Sequence, residues 1–142
     1  MKDKAAAISN LIDNQSVVYL SSVDEKGYPN TKAMLAPRKR EGMKVFYFHT
    51  NTSSMRVAQF RSNPHACLYF CSKNNFTGAM LTGAIEVLED AVHKELLWQE
   101  GDTMYYTQGV TDPDYCVLRF TAEQGRYYSN FSSENFVINS AE

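Results

Sequence analysis

Residues 48–56, with the sequence FHTNTSSMR, have the side-chain types and the spacing that could bind an anion. An apolar strand runs into a hydroxyl-rich turn, and the helix that follows carries Arg56 in its first turn. The hydroxyl groups come from Thr50, Thr52, Ser53 and Ser54. The first N–H groups of a helix lack partners within the helix, and the helix dipole places partial positive charge there. This corner of the chain could therefore hold a phosphate group.

Spacing alone leaves two interpretations of this corner open. A phosphate-bearing ligand is the leading functional inference, because hydroxyl groups, free N–H groups and a cation converge at one helix end. The alternative is an ordinary N-cap, in which Thr52 or Ser53 satisfies the backbone donors. Such caps are commoner than ligand sites.

The size and the charge of the chain exclude several classes of protein. Its 142 residues fit one domain with a proper core, and its net charge of −2 argues against binding nucleic acid through bulk electrostatics. The basic run at residues 37–40 is followed by Glu41 and Gly42, which favours a solvated hairpin loop. We expect a soluble, cytoplasmic protein, because no apolar stretch approaches the ~20 residues of a membrane span and no signal-peptide core is present.

Cysteine and histidine residues are sparse and scattered. They are Cys67, Cys71 and Cys116, and His49, His65 and His93. The odd number of cysteines, without a CxxC pair, indicates reduced, buried thiols rather than a disulfide framework. The histidines show no HxH or HExxH spacing, so no protein metal site is predicted.

The hydrophobic pattern predicts short strands with a few helices between them. Helices are predicted at residues 3–14, 53–62 and 90–98, strands at 17–23, 30–36, 43–50, 66–71, 79–88, 115–120 and 126–128, and a loop at 102–114. Six or seven strands joined by short turns favour a mainly β fold, an antiparallel barrel with peripheral helices plugging its ends. No internal repeat or domain linker interrupts residues 1–142, so we predict a single domain with an N-terminal helix within residues 1–15 and a C-terminal tail at residues 130–142.

Several of these strands are apolar on both faces. The strand at residues 43–50 carries Val45 and Tyr47 on one face, with Phe46 and Phe48 on the other. One face can line the barrel interior, and the other needs a helix, a ligand or a second subunit as cover. Aromatic residues make up 13% of the chain, which favours an association surface or a flat ligand in addition to the core.

Between residues 17 and 128 the chain carries an ordered series of motifs. They are DEKGYP at 24–29, FHT at 48–50 with Ser54 and Arg56, Gln59, Asn63-Pro64, Gly83, Leu97-Trp98, DPDY at 112–115 and LRF at 118–120. In order and spacing they resemble the FMN-binding split barrels of the pyridoxamine-phosphate-oxidase-like family, specifically its general stress protein 26 branch. The resemblance covers nearly the whole domain.

The resemblance implies a homodimer with FMN at the subunit interface and a set of cofactor-binding residues. These residues are Lys32, Ala33, Met34, Leu35, His49, Thr50, Ser54, Arg56 and Tyr128. In the family pattern, residues 32–35 bind the ring, 49–50 meet the ribityl–ring region, and Ser54 and Arg56 hold the phosphate. Tyr128 replaces a tryptophan that reaches toward the partner's flavin. A cation at Lys32 would stabilise reduced flavin and raise its reduction potential.

Departures from the family pattern limit the expected activity. Pro37 stands where pyridoxamine-phosphate oxidases carry a lysine for the substrate phosphate, and Gly78 stands where they carry a flavin-contacting glutamine. Lys32 replaces the usual arginine, and Arg56 the usual lysine. The C-terminal arginine–histidine substrate motif is absent from the sequence. We therefore expect FMN binding without vitamin B6 oxidation.

The resulting functional prediction is an FMN-dependent oxidoreductase acting on an unknown small molecule. No catalytic residue is assigned. Tyr47, His49 and Tyr128 are candidates for proton transfer, and packing of His49 against the flavin or the partner is an equal alternative.

Two other functions stay open. The chain could be a flavin-binding stress-response module without turnover, or the same barrel could bind haem or a deazaflavin. For Trp98, Tyr105 and Tyr106, packing under the 102–114 loop is favoured over direct flavin contact.

Overall fold

The computed structural model describes residues 2–139, with side chains from residue 4 onward. The predicted mainly β fold with peripheral helices is confirmed. The elements are α1 (Lys2–Asp13), β1 (Val17–Val23), β2 (Pro29–Leu35), β3 (Lys39–Glu41), β4 (Val45–Asn51), α2 (Met55–Ser62), β5 (His65–Cys71), β6 (Gly78–Leu88), α3 (Ala91–Leu97), β7 (Tyr115–Ser129) and β8 (Ser132–Val137). Two 3₁₀ turns, Asp102–Met104 and Gly109–Thr111, lie between α3 and β7.

The eight described strands form one antiparallel sheet. Its order is β2-β1-β5-β6-β7-β4-β3, and β8 pairs with β7 outside this path. The 15-residue strand β7 organises the sheet, because it pairs with β4, β6 and β8. This is the split-barrel architecture that the family resemblance implies, and it places β2 and β3 at the two ends of the strand order.

The number of strands differs from the predicted six or seven. Strand β3 lies in the predicted loop at residues 37–42, and β8 lies within residues 130–142, which were assigned to a C-terminal tail. Residues 140–142 of that tail lie outside the described residues. The sequences KRE and SSENFV lack the apolar alternation of a strand, so only pairing with β4 and β7 reveals them. Conversely, the strands predicted at 115–120 and 126–128 are one strand, β7.

Two apolar clusters hold the domain together. The larger one fills the barrel, where Leu20 and Phe46 are almost fully buried and Ile8 and Ile12 of α1 close one end. The smaller cluster lies under the loop between α3 and β7. It contains Tyr47, Leu97, Tyr106, Tyr115 and Val117, with Trp98 packed against them. The second cluster fixes the loop that later forms one wall of the candidate site.

The basic run at residues 37–40 is not the solvated loop that was predicted. Arg38 is largely buried and pairs with Asp102, while Arg40 pairs with Asp13 of α1. The hydrophilic pattern indicates a loop, but the carboxylates that pair with these cations come from distant parts of the sequence. A short charged run is therefore a structural brace in this protein.

The cysteines are free thiols, with Cys116 buried and the other two half-buried. Burial raises the pKa of Cys67 and of Cys116, so both are poor nucleophiles. Within the described residues, no three His, Cys, Asp or Glu side chains are grouped as metal ligands. No described helix has the length and apolar composition needed to cross a bilayer.

Candidate functional site

The turn between β4 and α2 is fixed by the residue that precedes β7. The Asp114 carboxylate accepts hydrogen bonds from Nδ2 of Asn51 and from the backbone N–H of Ser53, both at 2.8 Å. The Asp114 carbonyl accepts from the N–H of Thr52, also at 2.8 Å. Hydrogen bonds from Ser53 and Asn51 lower the pKa of Asp114. These backbone donors are thus satisfied by the chain itself and are not free for a ligand.

Helix α2 is capped by Ser54 rather than by Thr52 or Ser53. The Ser54 hydroxyl accepts a hydrogen bond from the backbone N–H of Val57 at 3.4 Å. A hydroxyl side chain does cap this helix, as the alternative interpretation predicts, but the capping residue is Ser54 and not Thr52 or Ser53. The N–H groups of Met55 and Arg56 in the first turn still have no partner within the helix.

Arg56 is a half-buried cation without an anionic partner among the described side chains. Its Nη2 donates to Oγ1 of Thr50 at 2.9 Å, while its Nε is buried with no hydrogen-bond partner. Burial lowers the pKa of Arg56 from its ordinary value. Oγ1 of Thr52 is likewise buried and unpartnered. Because a buried charge is costly unless it is paired, this corner fits an anionic group.

A cleft of about 280 Å³ opens beside Arg56, between β2 and β4. Its walls are residues 32–36, residues 48–51, Arg56, and the pair Tyr105 and Tyr106. Because β2 lies at the end of the order of the described strands, its outer edge presents backbone N–H and C=O groups that none of those strands satisfies. The cleft thus combines a cation at one end, backbone hydrogen-bonding groups along one side and aromatic rings on the other.

The aromatic wall is hydrogen-bonded to the strand beneath it. Nδ1 of His49 lies 2.8 Å from the Tyr106 hydroxyl, and the Tyr105 ring lies 5.6 Å from the His49 ring between centroids. Burial lowers the pKa of His49, an effect that Arg38 strengthens and Asp102 opposes. His49 is therefore a neutral imidazole near pH 7.

An ion pair beneath this wall ties the loop to the start of β3. Nη2 of Arg38 donates to Oδ1 of Asp102 at 2.8 Å, and Nη1 donates to Oδ2 and to the Leu97 carbonyl. The backbone N–H of Gln99 donates to Oδ2 of Asp102 at 2.9 Å. The hydrogen bond from Arg38 lowers the pKa of Asp102, and the one from Gln99 adds to this effect.

Seven of the nine cofactor-binding residues that the resemblance implies line the cleft. They are Lys32, Ala33, Met34, Leu35, His49, Thr50 and Arg56. Ser54 caps α2 and is not among the lining residues. Tyr128 lies on β7, twelve residues beyond Cys116, the partner of Thr50. Tyr128 is likewise not among the residues that line the cleft of its own chain.

The loop between α3 and β7 contributes more to the cleft than the sequence pattern predicts. The pattern favours packing for Tyr105 and Tyr106. Tyr106 does pack in the second apolar cluster, but it also lines the cleft. Tyr105 lines the cleft as well, and it is 44% exposed. Asn51, which is not among the predicted cofactor-binding residues, also lines the cleft and donates a hydrogen bond to Asp114. The DPDY motif is the available signal, because its acidic side chains anchor the loop to the turn.

The fold and this corner define a split barrel of the pyridoxamine-phosphate-oxidase type. The chain matches the family model described as pyridoxamine 5'-phosphate oxidase over residues 5–129, and it belongs to that family. A solved protein from Clostridium acetobutylicum, related to general stress protein 26 of B. subtilis, is 40% identical with a TM-score of 0.88, covering 97% of this chain and 96% of that one. That similarity supports the general stress protein 26 branch.

More distant relatives share the fold or part of the sequence. An FMN-binding, pyridoxamine 5'-phosphate oxidase-related protein from Nostoc punctiforme is 17% identical with a TM-score of 0.66, over 97% of this chain and 95% of that one. Pyridoxine/pyridoxamine 5'-phosphate oxidases match at 38% identity from Legionella pneumophila (41% of this chain, 26% of the enzyme) and at 30% from Allorhizobium ampelinum (70% and 43%). The chain thus spans less than half the length of these curated relatives.

We predict that Asp102→Asn lowers the free energy of unfolding by about 3–5 kcal/mol, because it leaves the Arg38 charge buried without its partner. The side chains of Arg38 and Asp102 are only 14% and 4% exposed. Because the native pKa of Asp102 is lowered, the stabilisation is complete above the unfolded pKa of about 3.9 and is lost as the pH falls through the native pKa. Urea denaturation across this pH range measures both effects.

Asp13→Asn is the matched control, since Asp13 also accepts two hydrogen bonds from one arginine, Arg40, but its side chain is 62% exposed. Its loss should cost about 0–1 kcal/mol. Equal costs for the two variants would contradict a structural role for burial of the Arg38 pair.

Proposed function

We propose that the protein is a flavoprotein that binds FMN in the cleft beside Arg56. The observation that supports this most directly is the half-buried guanidinium of Arg56, whose Nε has no partner and which no described carboxylate neutralises. A phosphate group would supply both the missing charge and the missing acceptor. Thr50, already bonded to Arg56, and the free N–H groups at the start of α2 are close at hand.

The remainder of the cleft suits a flat ring system. Residues 32–35 can offer backbone hydrogen bonds to a ring edge, and Lys32 adds a cation near that edge. Tyr105, which is partly exposed, can stack on a ring face. Bound FMN would supply hydride chemistry, while this chain would position it and set its electrostatics.

We propose further that the site is completed by a second copy of the chain. The cleft, at about 280 Å³, lies below the ~300–1,000 Å³ typical of small-molecule pockets. One face of the β1–β2 pair exposes Val17, Tyr19 and Leu35 by 42%, 42% and 56%. Val17 lies opposite Leu35 in the register, so these side chains form one apolar patch of the kind that marks an interface.

Tyr128 supports the same dimer from another strand. Tyr19 on β1 lies opposite Tyr69 on β5. Two residues further along β5, Cys71 lies opposite Gly78 on β6, and Gly78 lies opposite Tyr128 on β7. Because residues two apart on a strand share a face, Tyr128 lies on the same outer face as the apolar patch. Packing two such faces together would let Tyr128 approach the cleft of the partner.

We propose an oxidoreductase activity on a substrate other than pyridoxamine phosphate. Pro37 provides no cation at the position where the oxidases bind the substrate phosphate. Arg38, the next residue, is already paired with Asp102 and is unavailable for that purpose. The similarity to the curated oxidases also covers less than half of their length.

Arg56→Ala should weaken FMN binding by about 1.5–3 kcal/mol, the usual contribution of a hydrogen bond to a charged group. Titration of the apoprotein with FMN, followed by flavin fluorescence, measures this change. An unchanged affinity would remove Arg56 from the site.

Arg61→Ala is the matched control for that titration. Arg61 lies on the same helix, but its half-exposed side chain pairs with Glu89 at the surface. Its removal should alter FMN affinity by less than about 0.5 kcal/mol.

Tyr19→Lys should convert a wild-type dimer into monomers, because it places a charge in the centre of the apolar patch. Multi-angle light scattering over a range of concentrations measures the mass. Val92→Lys, at a 73% exposed position on α3, should leave the dimer intact. A wild-type mass equal to one chain at all concentrations would exclude the proposed dimer.

Bound FMN should be reduced by NADH or NADPH faster than free FMN and then reoxidised by an added acceptor. The absorbance of the purified protein follows both steps. Flavin bands without reduction above the free-FMN rate would indicate a binding module without turnover. A Soret band in place of flavin bands would indicate haem and would contradict the proposal.

A further inference from the structure

His49 and Tyr106 form a side-chain pair in the wall of the cleft, to which FMN binding by itself assigns no role. Nδ1 of His49 lies 2.8 Å from the Tyr106 hydroxyl oxygen, and the two rings meet edge to face at 81° with centroids 5.8 Å apart. Tyr106 is only 2% exposed, and both residues line the cleft. Which atom donates in this pair decides what His49 offers to a ligand.

The surroundings of the pair favour the Tyr106 hydroxyl as the donor. Among the described side chains His49 is its one hydrogen-bond partner, so a hydroxyl hydrogen turned elsewhere would be buried and unsatisfied. Burial raises the pKa of Tyr106, which keeps the phenol protonated. Burial lowers the pKa of His49, the charge of Arg38 lowers it further, and the charge of Asp102 partly opposes this. The lowered pKa keeps the imidazole neutral. A neutral imidazole that accepts at Nδ1 carries its hydrogen on Nε2.

We propose that Tyr106 is a positioning residue whose hydroxyl holds His49 in the Nε2–H tautomer, so that the cleft presents one fixed imidazole donor to its ligand. Nε2 of His49 has no hydrogen-bond partner among the described residues, which leaves this donor available. The inference rests on the proposed function only for the identity of the ligand, since the tautomer is a property of the chain alone.

The second apolar cluster makes Tyr106 a rigid support. Its ring packs on Tyr115 at 4.7 Å and on Trp98 at 6.2 Å between centroids. Tyr115 is itself fixed, because its hydroxyl donates to the Lys94 carbonyl at 2.6 Å. Nζ of Lys94 in turn donates to the Asp112 carbonyl at 3.0 Å. The hydroxyl of Tyr106 is therefore held at one position relative to β4.

A fixed donor selects ligands by their chemistry. It favours an acceptor such as a carbonyl oxygen or an unprotonated ring nitrogen, and it disfavours a donor at the same position. A flavin carries acceptors of both kinds on its ring. Without Tyr106, either ring nitrogen of His49 could carry the hydrogen, and part of the population would present the wrong atom.

The test is nitrogen NMR of the histidine side chains in ¹⁵N-labelled protein, with and without added FMN. The chain has three histidines, and His49→Gln identifies the His49 signals by their loss. We expect wild-type His49 to show a protonated Nε2 and an unprotonated Nδ1 in both samples. In Tyr106→Phe the two nitrogens should move toward averaged shifts, as expected for mixed tautomers.

Tyr115→Phe controls for loss of a buried, hydrogen-bonded hydroxyl in the same cluster, and it should leave the His49 tautomer unchanged. Wild-type His49 with its hydrogen on Nδ1 would overturn the inference even if Tyr106→Phe did not fold. A Tyr106→Phe spectrum with the wild-type tautomer would overturn it as well.

Affinity provides a second readout. Tyr106→Phe should weaken FMN binding about 2- to 10-fold, in line with one neutral hydrogen bond. In the His49→Gln background, where no tautomer remains to be set, the same change should have no further effect. Equal losses in both backgrounds would mean that Tyr106 acts by packing alone and would overturn the inference. Failure of wild-type protein to bind FMN would reject the proposed function, while the NMR result would still decide the tautomer.

Discussion

The antiparallel pairing of β4 with β7 is the constraint on which the candidate site depends. It places Asn51 opposite Tyr115, so Asp114, which precedes β7, must lie beside the turn that follows β4. Asp114 accepts hydrogen bonds from Asn51 and Ser53 in that turn. Helix α2 begins directly after the turn, and its Arg56 donates a hydrogen bond to Thr50. The candidate anion-binding corner is therefore produced by two segments some sixty residues apart in the sequence.

Two arginines illustrate how burial separates structure from function in this protein. Arg38 is buried with Asp102, and the pair braces the loop against the start of β3. Arg56 is half-buried with only a hydroxyl partner, and its Nε has none. A partly buried cation without an anionic side chain beside it is costly unless another anion, such as that of a ligand, compensates its charge. That difference, rather than the presence of an arginine, distinguishes a candidate ligand site from a brace.

Much of the site could be predicted from local sequence, because its residues lie on two short segments. Residues 32–35 and 49–56 are each contiguous, and the strand–turn–helix pattern around Arg56 predicts an anion-binding corner by itself. The N-cap was placed too early because Thr52, Ser53 and Ser54 are chemically equivalent caps. Only the hydrogen bonds that Asp114 accepts from this turn decide which hydroxyl remains for the helix.

The sequence by itself determined the mainly β class, most strand positions and the residues of the cation-bearing corner, since periodicity and helix-end chemistry are local properties. Tertiary structure decided that KRE and SSENFV are strands, that Arg38 is buried with Asp102, and that Tyr106 bonds His49. Each of these features depends on a partner contributed from elsewhere in the chain. A local pattern of residue types does not specify which distant residue will pair with it. The wall of the cleft could therefore be recognised only in the folded chain.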